Sequence, residues 1–270
     1  MRLRMLVFIW IMVIHNHAIA GAPHSGDMTA KSAIAIDAKT GNVLYAKKTI
    51  LRHPPASTTK IVTGIVAIEM TDRFDRMVVV SKNAASVPLS KIGLHEGDRI
   101  TVDELLLGSL LKSGNDAAVA LAESIAGSEK AFVTLMNKKV KDIGAKNTHF
   151  INSTGLPGKG QYTTVSDLVK IMDYAMKNPK FAEIVGTRIA VIEPEGKKVL
   201  LRNTNKLLWM YDGATGGKTG YTKVAKHCFV GEASKNGSSV IIALLGSKNL
   251  WEDARLLFEK GFDIISRRML

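Results

Sequence analysis

The sequence predicts a mixed α/β protein of the α+β type, with an antiparallel sheet flanked by helices and lying beside an all-helical lobe. Alternating apolar runs typical of strands occur near both ends of the chain, and the long stretch between them has apolar residues at helical spacing. No internal repeat and no Pro- or Ser-rich linker divides the chain. We therefore expect one compact unit of two lobes rather than two independent domains.

The first structured segment is predicted to be a β-hairpin. Residues 33–46 form two alternating apolar runs around a turn at 39–42, which reads Lys-Thr-Gly-Asn. After two consecutive prolines, the apolar residues at 61–68 follow a helical spacing. A helix is therefore expected to begin near Ser57.

Four further helices are predicted in the middle of the chain. Residues 101–104 have the capping-box sequence Thr-Val-Asp-Glu, and a leucine stripe follows as far as Leu111. A second helix is expected near Asp116, a third over 130–143, and Thr164 opens a fourth. These helices would form the helical lobe.

Strand patterns return in the last third of the chain. They occur at 188–192, 199–202, 228–232 and 240–245. A final helix is predicted over 252–265. Together with the first hairpin, these segments predict the sheet.

Composition excludes several classes of protein. The chain has 270 residues, a formal net charge of +13 and a single cysteine, Cys228. Collagen-like, low-complexity and disulfide-stapled classes are excluded, and Cys228 is expected to be a small buried residue. The basic residues are scattered without interleaved aromatics, so nucleic acid is not a predicted partner.

The N-terminus has the pattern of a secretory signal peptide. Arg2 and Arg4 precede an apolar run at 5–14, and Ala-Ile-Ala ends at Ala20. Ten apolar residues are too few for a bilayer span, which needs about twenty. We expect residues 1–20 to be cleaved after Ala20, leaving 21–270 exported to the periplasm or secreted, with no stable membrane anchor.

A hydroxyl and an amine are placed together by the sequence Ser57-Thr58-Thr59-Lys60. At the start of a helix, side chains three residues apart share a face. Serine is a weak nucleophile unless a neighbour accepts its proton, and a desolvated lysine beside other cations can do so. Ser57 is therefore a candidate nucleophile and Lys60 a candidate general base.

Ser113-Gly114-Asn115 occupies a glycine-broken turn between two predicted helices. Ser113 can relay a proton between Lys60 and a leaving amine. Asn115 can orient Lys60 and hold a substrate amide by hydrogen bonds.

Lys218-Thr219-Gly220 falls in a glycine-rich approach to an apolar strand. Lys218 can lower the pKa of the general base and attract a substrate carboxylate, to which Thr219 can donate a hydrogen bond. Gly220 permits close backbone approach. The backbone N–H groups of Ser57 and Tyr221 would form an oxyanion hole.

With these three motifs in this order, the sequence resembles the low-molecular-mass penicillin-binding proteins that act as serine D-alanyl-D-alanine carboxypeptidases. The resemblance covers most of residues 32–262. It extends to several other stretches: Ala-Ile-Asp-Ala-Lys-Thr-Gly-Asn-Val-Leu-Tyr at 35–45, Asn-Thr-His-Phe at 147–150, Thr-Gly-Leu at 154–156, Tyr-Thr-Thr at 162–164, Asp-Leu at 167–168, Asn-Thr-Asn at 203–205 and Gly-Phe at 261–262.

The resemblance implies a DD-peptidase/β-lactamase-like fold and one reaction. Ser57 would be acylated by a peptidoglycan stem pentapeptide with loss of its terminal D-Ala, and water would release the tetrapeptide. A β-lactam antibiotic would acylate the same serine as a covalent inhibitor. Neither a cofactor nor a metal is implied. The roles it implies are nucleophile for Ser57, general base for Lys60, proton relay for Ser113 and substrate anchoring for Asn115, Lys218 and Thr219.

The chain departs from the family pattern at three places. Ala225 is followed by Lys226 where the family has glycine, and Lys248 stands in the loop where an arginine is common. A lysine is a point charge where arginine offers a bidentate fork, which bears on carboxylate recognition. Many relatives continue at the C-terminus into a β-rich domain and an amphipathic helix, whereas we expect residues 21–270 to form a single catalytic domain of two lobes without them.

Three alternatives remain open at this point. A peptidoglycan endopeptidase uses the same machinery with a larger leaving amine. A class A β-lactamase adds a glutamate between the second and third motifs, but no glutamate occurs between Glu129 and Glu183. A non-catalytic wall-binding protein could retain the motifs as structure.

His227 lies beside Cys228, a pairing that could indicate a thiol nucleophile. We interpret both residues as structural, because adjacent residues on a strand face opposite sides of the sheet.

Overall fold

A computed structural model of the chain describes residues 28–269. The predicted leader at 1–20 lies outside these residues. In chain order, the elements are β1 (Ser32–Asp37), β2 (Val43–Lys47), a 3-10 turn (Ala56–Thr59), α1 (Lys60–Glu69), β3 (Met77–Val79), α2 (Lys82–Ser86), β4 (Arg99–Thr101), α3 (Val102–Leu110), α4 (Asn115–Ala126), α5 (Glu129–Asp142), α6 (Val165–Met176), α7 (Pro179–Gly186), β5 (Ile189–Ile192), a second 3-10 turn (Pro194–Gly196), β6 (Val199–Arg202), α8 (Leu207–Met210), β7 (Ala214–Thr222), β8 (Lys226–Lys235), β9 (Ser238–Ser247) and α9 (Leu250–Met269).

The main sheet has five antiparallel strands in the order β2-β1-β9-β8-β7. Its centre is β9, which is buried from Val240 to Ser247 because helices cover both of its faces. Ile241, Ala243 and Leu245 point into the core shared with the helical lobe. The alternate residues Val240, Ile242 and Leu244 point into a smaller core under α9. The two-residue period of a strand thus joins the two layers of helices through one sheet.

The helical lobe is formed mainly by α1 and α3 to α5. Thr101 and Glu104 make the reciprocal hydrogen bonds of a capping box at the start of α3, as the sequence predicts. Thr164 caps α6 by accepting a hydrogen bond from the backbone N–H of Asp167. Leu105 and Leu106 are fully buried, so the leucine stripe packs into the lobe. The predicted α+β class, with an antiparallel sheet flanked by helices, is confirmed.

Two local predictions were wrong. The strands β5 and β6 pair only with each other in a separate two-stranded ribbon and do not extend the main sheet. Lys218, Thr219 and Gly220 lie inside strand β7, not in an approach to a strand. Glycines have low strand propensity, so this edge strand carries no alternating apolar pattern that could be read from sequence.

Cys228 is fully buried, as expected, and burial raises the pKa of its thiol to about 12. Such a thiol stays protonated at neutral pH and is not a nucleophile. No helix of residues 28–269 is both long and apolar enough to cross a membrane.

Lys226 is the first residue of β8, directly after the turn at 223–225, and has a φ of +57°, in the left-handed region that favours glycine. A lysine there is strained because its Cβ crowds the backbone. Its side chain is exposed. The departure from the family's glycine at this position therefore costs stability locally.

We expect Lys226→Gly to raise the free energy of unfolding by about 1 kcal/mol. The matched control is Lys223→Gly in the turn just before Lys226, where φ is not positive and glycine should be neutral or slightly destabilising. Urea titration of both variants measures the difference. Equal effects of the two substitutions would contradict the strain argument.

Candidate active site

Ser57 and Lys60 are brought together by a change of helix type. The 3-10 turn at Ala56–Thr59 leads directly into α1, whose first residue is Lys60. The Lys60 Nζ atom lies 3.1 Å from Ser57 Oγ. The predicted contact between hydroxyl and amine is therefore present, with Ser57 partly exposed to the cleft and Lys60 fully buried.

The surroundings of the Lys60 amine fit its neutral form. Nζ lies 2.7 Å from the Asn115 Oδ1 atom and 2.8 Å from the Thr154 carbonyl oxygen, both of which can only accept. A neutral amine has two N–H groups for these two acceptors, and its lone pair is then free to accept the Ser57 hydroxyl proton. Burial lowers the pKa of Lys60 well below its ordinary value, and the nearby Lys218 cation lowers it further.

The nucleophile follows a strained residue. Ala56 is buried with a φ of +49°, a conformation that alanine rarely adopts. Gly155 packs against it so closely that a Cβ on Gly155 would lie 1.8 Å from the Ala56 carbonyl oxygen. A Cβ on Gly220 would lie 2.8 Å from the backbone N of Ser57. Gly155 and Gly220 thus pack against the Ser57 turn from two different segments of the chain. A residue with a side chain would not fit at either position.

Asn115 is fixed at the first position of α4. Its amide nitrogen donates to the Pro88 carbonyl at 2.9 Å and to the Leu89 carbonyl, which leaves its oxygen turned toward Lys60. The adjacent Asp116 is fully buried. Its carboxylate accepts hydrogen bonds from four backbone N–H groups, which belong to Ile92, Gly93, Leu94 and Ala117. Asp116 therefore anchors the loop against which Asn115 is held.

Ser113 precedes α4 in the left-handed region, with a φ of +65°. It is buried, and its hydroxyl makes no hydrogen bond with other described residues. The second motif thus contributes a fixed Asn115 and a Ser113 hydroxyl that is not engaged elsewhere.

The third motif lies on the free edge of β7. Lys218 is fully buried, and desolvation lowers its pKa to about 7. Its Nζ donates to the Thr219 carbonyl oxygen at 3.0 Å. The Thr219 hydroxyl lies 2.8 Å from the Thr204 hydroxyl. Tyr221 is 55% exposed, and its ring centre lies 4.7 Å from that of His227, so its side chain packs against β8.

Comparison with known proteins agrees with this arrangement. The sequence model of the D-alanyl-D-alanine carboxypeptidase family matches residues 17–249. This chain belongs to that family. The enzyme class expected from the sequence, a serine-type peptidase of the penicillin-binding group, is confirmed.

Individual members of the D-alanyl-D-alanine carboxypeptidase family are similar over most of the chain. The Bacillus subtilis carboxypeptidase DacF is 40% identical over 91% of this chain and 66% of its own length. A solved D-alanyl-D-alanine carboxypeptidase from Mycobacterium tuberculosis has a TM-score of 0.84 at 36% identity, covering 90% of this chain and 95% of its own. A Streptomyces DD-transpeptidase has a TM-score of 0.83 at 34% identity, covering 87% of this chain and 98% of its own.

Several residues of this carboxypeptidase-family site were not assigned roles by sequence reasoning. They are Thr154, Gly155, Asp116 and Thr204. The Thr154 carbonyl accepts a hydrogen bond from the Lys60 amine. Thr154 acts through its backbone carbonyl, which leaves no signature in the side chain. Gly155 alone carried a usable signal, because a glycine can mark a close approach of two backbones.

The contact between Gly155 and Ala56 predicts a large effect of one methyl group. We expect Gly155→Ala to lower the free energy of unfolding by about 2 kcal/mol more than Gly160→Ala. Both glycines have a positive φ, but a Cβ at Gly160 has nothing within 4 Å. Both substitutions therefore introduce similar backbone strain, and only Gly155→Ala adds a collision with the Ala56 carbonyl.

Chemical denaturation of both variants measures this difference. Equal destabilisation would mean that the loop carrying Gly155 moves away freely, so that it does not hold the Ser57 turn.

Proposed function

We propose that this protein is a serine D-Ala-D-Ala carboxypeptidase that removes the terminal D-alanine from peptidoglycan stem pentapeptides. The observation that carries the proposal is the buried Lys60 amine, whose two hydrogen-bond acceptors leave its lone pair facing the Ser57 hydroxyl 3.1 Å away. Membership of the D-alanyl-D-alanine carboxypeptidase family supports the choice of substrate.

In the acylation step, Ser57 Oγ attacks the carbonyl carbon of the penultimate D-Ala while its proton passes to Lys60 Nζ. The resulting oxyanion is stabilised by the backbone N–H groups of Ser57 and Tyr221. As the C–N bond breaks, the leaving nitrogen takes a proton from Lys60 through the Ser113 hydroxyl. Terminal D-Ala departs, and an ester joins the peptide to Ser57.

In the deacylation step, water replaces the departed amine. Lys60 takes a proton from the water as it attacks the ester carbonyl, and the same proton returns to Ser57 Oγ when the C–O bond breaks. The tetrapeptide leaves with a new carboxylate. One buried amine thus serves as base and acid in turn.

Substrate recognition is assigned to β7 and Asn115. The Thr219 hydroxyl and the Lys218 ammonium bind the carboxylate of the terminal D-Ala, and Asn115 holds the substrate amide. Gly220 lets β7 approach the Ser57 turn, and the substrate backbone is proposed to lie along the free edge of β7, as in recognition by strand addition. Lys248 is exposed and supplies a further cation near this end of the sheet.

A penicillin is expected to acylate Ser57 and to be released slowly. Efficient β-lactamases activate the deacylating water with a carboxylate. Two carboxylates that follow the second motif are already engaged: Asp116 accepts hydrogen bonds from the 92–94 backbone, and Glu129 accepts hydrogen bonds from Ser153. Rapid turnover of penicillin by the purified protein would overturn this assignment.

We also propose that the protein is exported to the cell wall, with residues 1–20 removed after Ala20 and residues 21–270 forming one catalytic domain. The family's substrate lies outside the cytoplasm, which supports export. N-terminal sequencing of the protein from the cell envelope tests the cleavage site. A mature chain that begins at Met1 would contradict it.

Removing the proposed base tests the mechanism directly. We expect Lys60→Gln to slow acylation of Ser57 by penicillin at least about 1,000-fold, since general base catalysis contributes about 100- to 10,000-fold. The adduct is measured by mass spectrometry of the intact protein over time. Lys146→Gln, an exposed lysine, is the control.

Ser57→Ala should form no adduct. Unchanged acylation in Lys60→Gln, with correct folding verified by circular dichroism, would refute the assigned base. A non-catalytic wall-binding protein would leave no adduct in the unmodified chain either.

The charge on Lys218 predicts a shift in the pH profile. The rate of acylation rises with pH as Lys60 loses its proton, and the Lys218 cation lowers the pKa of Lys60. Lys218→Gln removes this cation, so the pKa of Lys60 should rise and the ascending limb should move to higher pH. Thr219→Val keeps the cation and should not move the limb.

Acylation rates by a neutral active-site acylating agent, measured from acidic to alkaline pH, give the profile. A neutral agent avoids the loss of carboxylate binding in both variants. An ascending limb at the same pH in Lys218→Gln as in the unmodified protein would mean that Lys218 does not act on Lys60.

A further inference from the structure

The Thr154 carbonyl that accepts a hydrogen bond from Lys60 belongs to a peptide group with a second partner. A peptide group is planar, so its C=O and its N–H keep a fixed relation to each other. The C=O between Thr154 and Gly155 accepts from Lys60 Nζ at 2.8 Å. The N–H of the same peptide group donates to the Asn152 Oδ1 atom at 2.7 Å. Lys60 and Asn152 therefore contact the two sides of one peptide group.

The Asn152 side chain organises the turn that contains this peptide group. Its Oδ1 atom also accepts from the Thr154 hydroxyl at 3.1 Å, and its amide nitrogen donates to the Leu156 carbonyl at 2.9 Å. One side chain thus binds three consecutive residues, 154–156. Thr154 and Gly155 are buried, so bulk water does not compete for these hydrogen bonds.

The neighbouring peptide group is fixed in a different way. The Thr63 hydroxyl on α1 donates to the Ser153 carbonyl at 2.6 Å, one helical turn after Lys60. This contact fixes the chain before Thr154. Gly155 follows with a φ of +84°, and glycine restricts its own dihedral angles less than other residues do. The peptide group before Gly155 therefore needs a contact of its own to fix its orientation, and Asn152 provides that contact.

The orientation of the Thr154 carbonyl decides where the lone pair of the Lys60 amine points. The two N–H groups of the neutral amine are used by Asn115 and Thr154, which leaves the lone pair facing the Ser57 hydroxyl. Without the Thr154 acceptor, the amine could rotate and its lone pair would face the hydroxyl for only part of the time. The bond to Asn152 also strengthens the carbonyl as an acceptor, because consecutive hydrogen bonds polarise one another.

We propose that Asn152 is a positioning residue for the acylation of Ser57, because it orients the Thr154 carbonyl that aims the Lys60 amine at the serine hydroxyl. The inference rests on the proposed function, since it concerns the same base and the same nucleophile. Asn152 acts through a backbone peptide group, and none of its described hydrogen bonds joins it to Ser57 or Lys60 directly.

Asn152→Ala removes the acceptor of the Gly155 N–H. We expect the rate of acylation at the alkaline plateau to fall about 10- to 100-fold, because small errors in the placement of a catalytic group have effects of this size. Asn152→Ser retains an oxygen, and a serine hydroxyl can accept the same N–H more weakly. This variant should recover most of the lost rate.

The pH profile separates positioning from a general loosening of the site. A carbonyl that accepts from the ammonium form favours that form, so its loss should lower the pKa of Lys60 further. The ascending limb should then move to lower pH in Asn152→Ala. A site that is merely opened to water would bring the pKa of Lys60 back up toward its ordinary value, and the limb would move to higher pH. The charged groups that act on Lys60 are Lys218 on β7 and Asp116 on α4, and the substitutions leave both in place.

Asn137→Ala is the matched control. Asn137 is also partly buried, and it binds the same segment farther from the reactive groups. Its Oδ1 atom accepts from the Phe150 N–H at 2.9 Å, and its amide nitrogen donates to the Phe150 carbonyl at 2.8 Å. Both variants therefore lose similar hydrogen bonds to the backbone and no charge. We expect Asn137→Ala to leave the plateau rate and the ascending limb unchanged.

Two measurements follow the effect. Mass spectrometry of the intact protein gives the rate of acetylation by p-nitrophenyl acetate, an uncharged ester, from acidic to alkaline pH, with Ser57→Ala as the background. In protein with carbon-13-labelled lysine, the NMR titration of the Lys60 Cε signal gives the pKa of the amine without turnover. The signal is assigned by its absence in Lys60→Gln, and circular dichroism verifies the folding of each variant.

Three results would each overturn the proposal: an unchanged plateau rate in Asn152→Ala, an ascending limb that moves to higher pH, or an equal change in Asn137→Ala. If Asn152→Ala does not fold, Asn152→Ser decides, since it should show a smaller fall in rate with the limb displaced in the same direction. If the unmodified protein forms no adduct at Ser57, the proposed function fails, and the Lys60 titration still decides whether Asn152 acts on the amine. Normal acylation with no effect of Asn152 rejects the positioning role alone.

Discussion

The structure depends on the burial of one amine. Lys60 has no exposed surface, and its nitrogen is surrounded by the oxygens of Asn115, Thr154 and Ser57. Water would keep a lysine protonated at neutral pH, whereas this enclosure disfavours the ammonium form. Each of the three oxygens comes from a different part of the chain, so the Ser57 turn, the start of α4 and the segment that carries Thr154 must pack together to maintain the environment.

Backbone strain is concentrated beside the reactive groups. Ala56 and Ser113 both adopt left-handed conformations, and each flanks or belongs to a sequence motif of the site. Such conformations persist where the surroundings leave no alternative. The close packing of Gly155 restricts Ala56 to its conformation. The carboxylate of Asp116, which accepts hydrogen bonds from four backbone N–H groups, restricts the loop beside Asn115. Rigidity at these points orients the hydroxyl and the amine before a substrate arrives, which reduces the entropy lost on reaching the transition state.

Charge is distributed over the site in two different ways. Lys60 and Lys218 are buried, and desolvation lowers the pKa of each, so their role depends on proton transfer and on a cation held close to the reacting atoms. Lys112, Arg202 and Lys206, which line one open groove, are exposed and keep their contact with water. Exposed cations attract anions without taking part in the proton transfers.

The sequence by itself determined the α+β class, the capped helices of the lobe and the identity of the reactive groups. These depend on local features: apolar periodicity, capping residues, and a hydroxyl and an amine one helical turn apart. The tertiary structure alone decided that Lys218 lies on an edge strand, because the glycines that let β7 approach Ser57 also erase the strand pattern. It also decided that a backbone carbonyl at Thr154 holds Lys60, and that Arg202 and Lys112 share one groove. Contacts between backbone atoms and between distant segments have no periodic signature along the chain, so only folding reveals them.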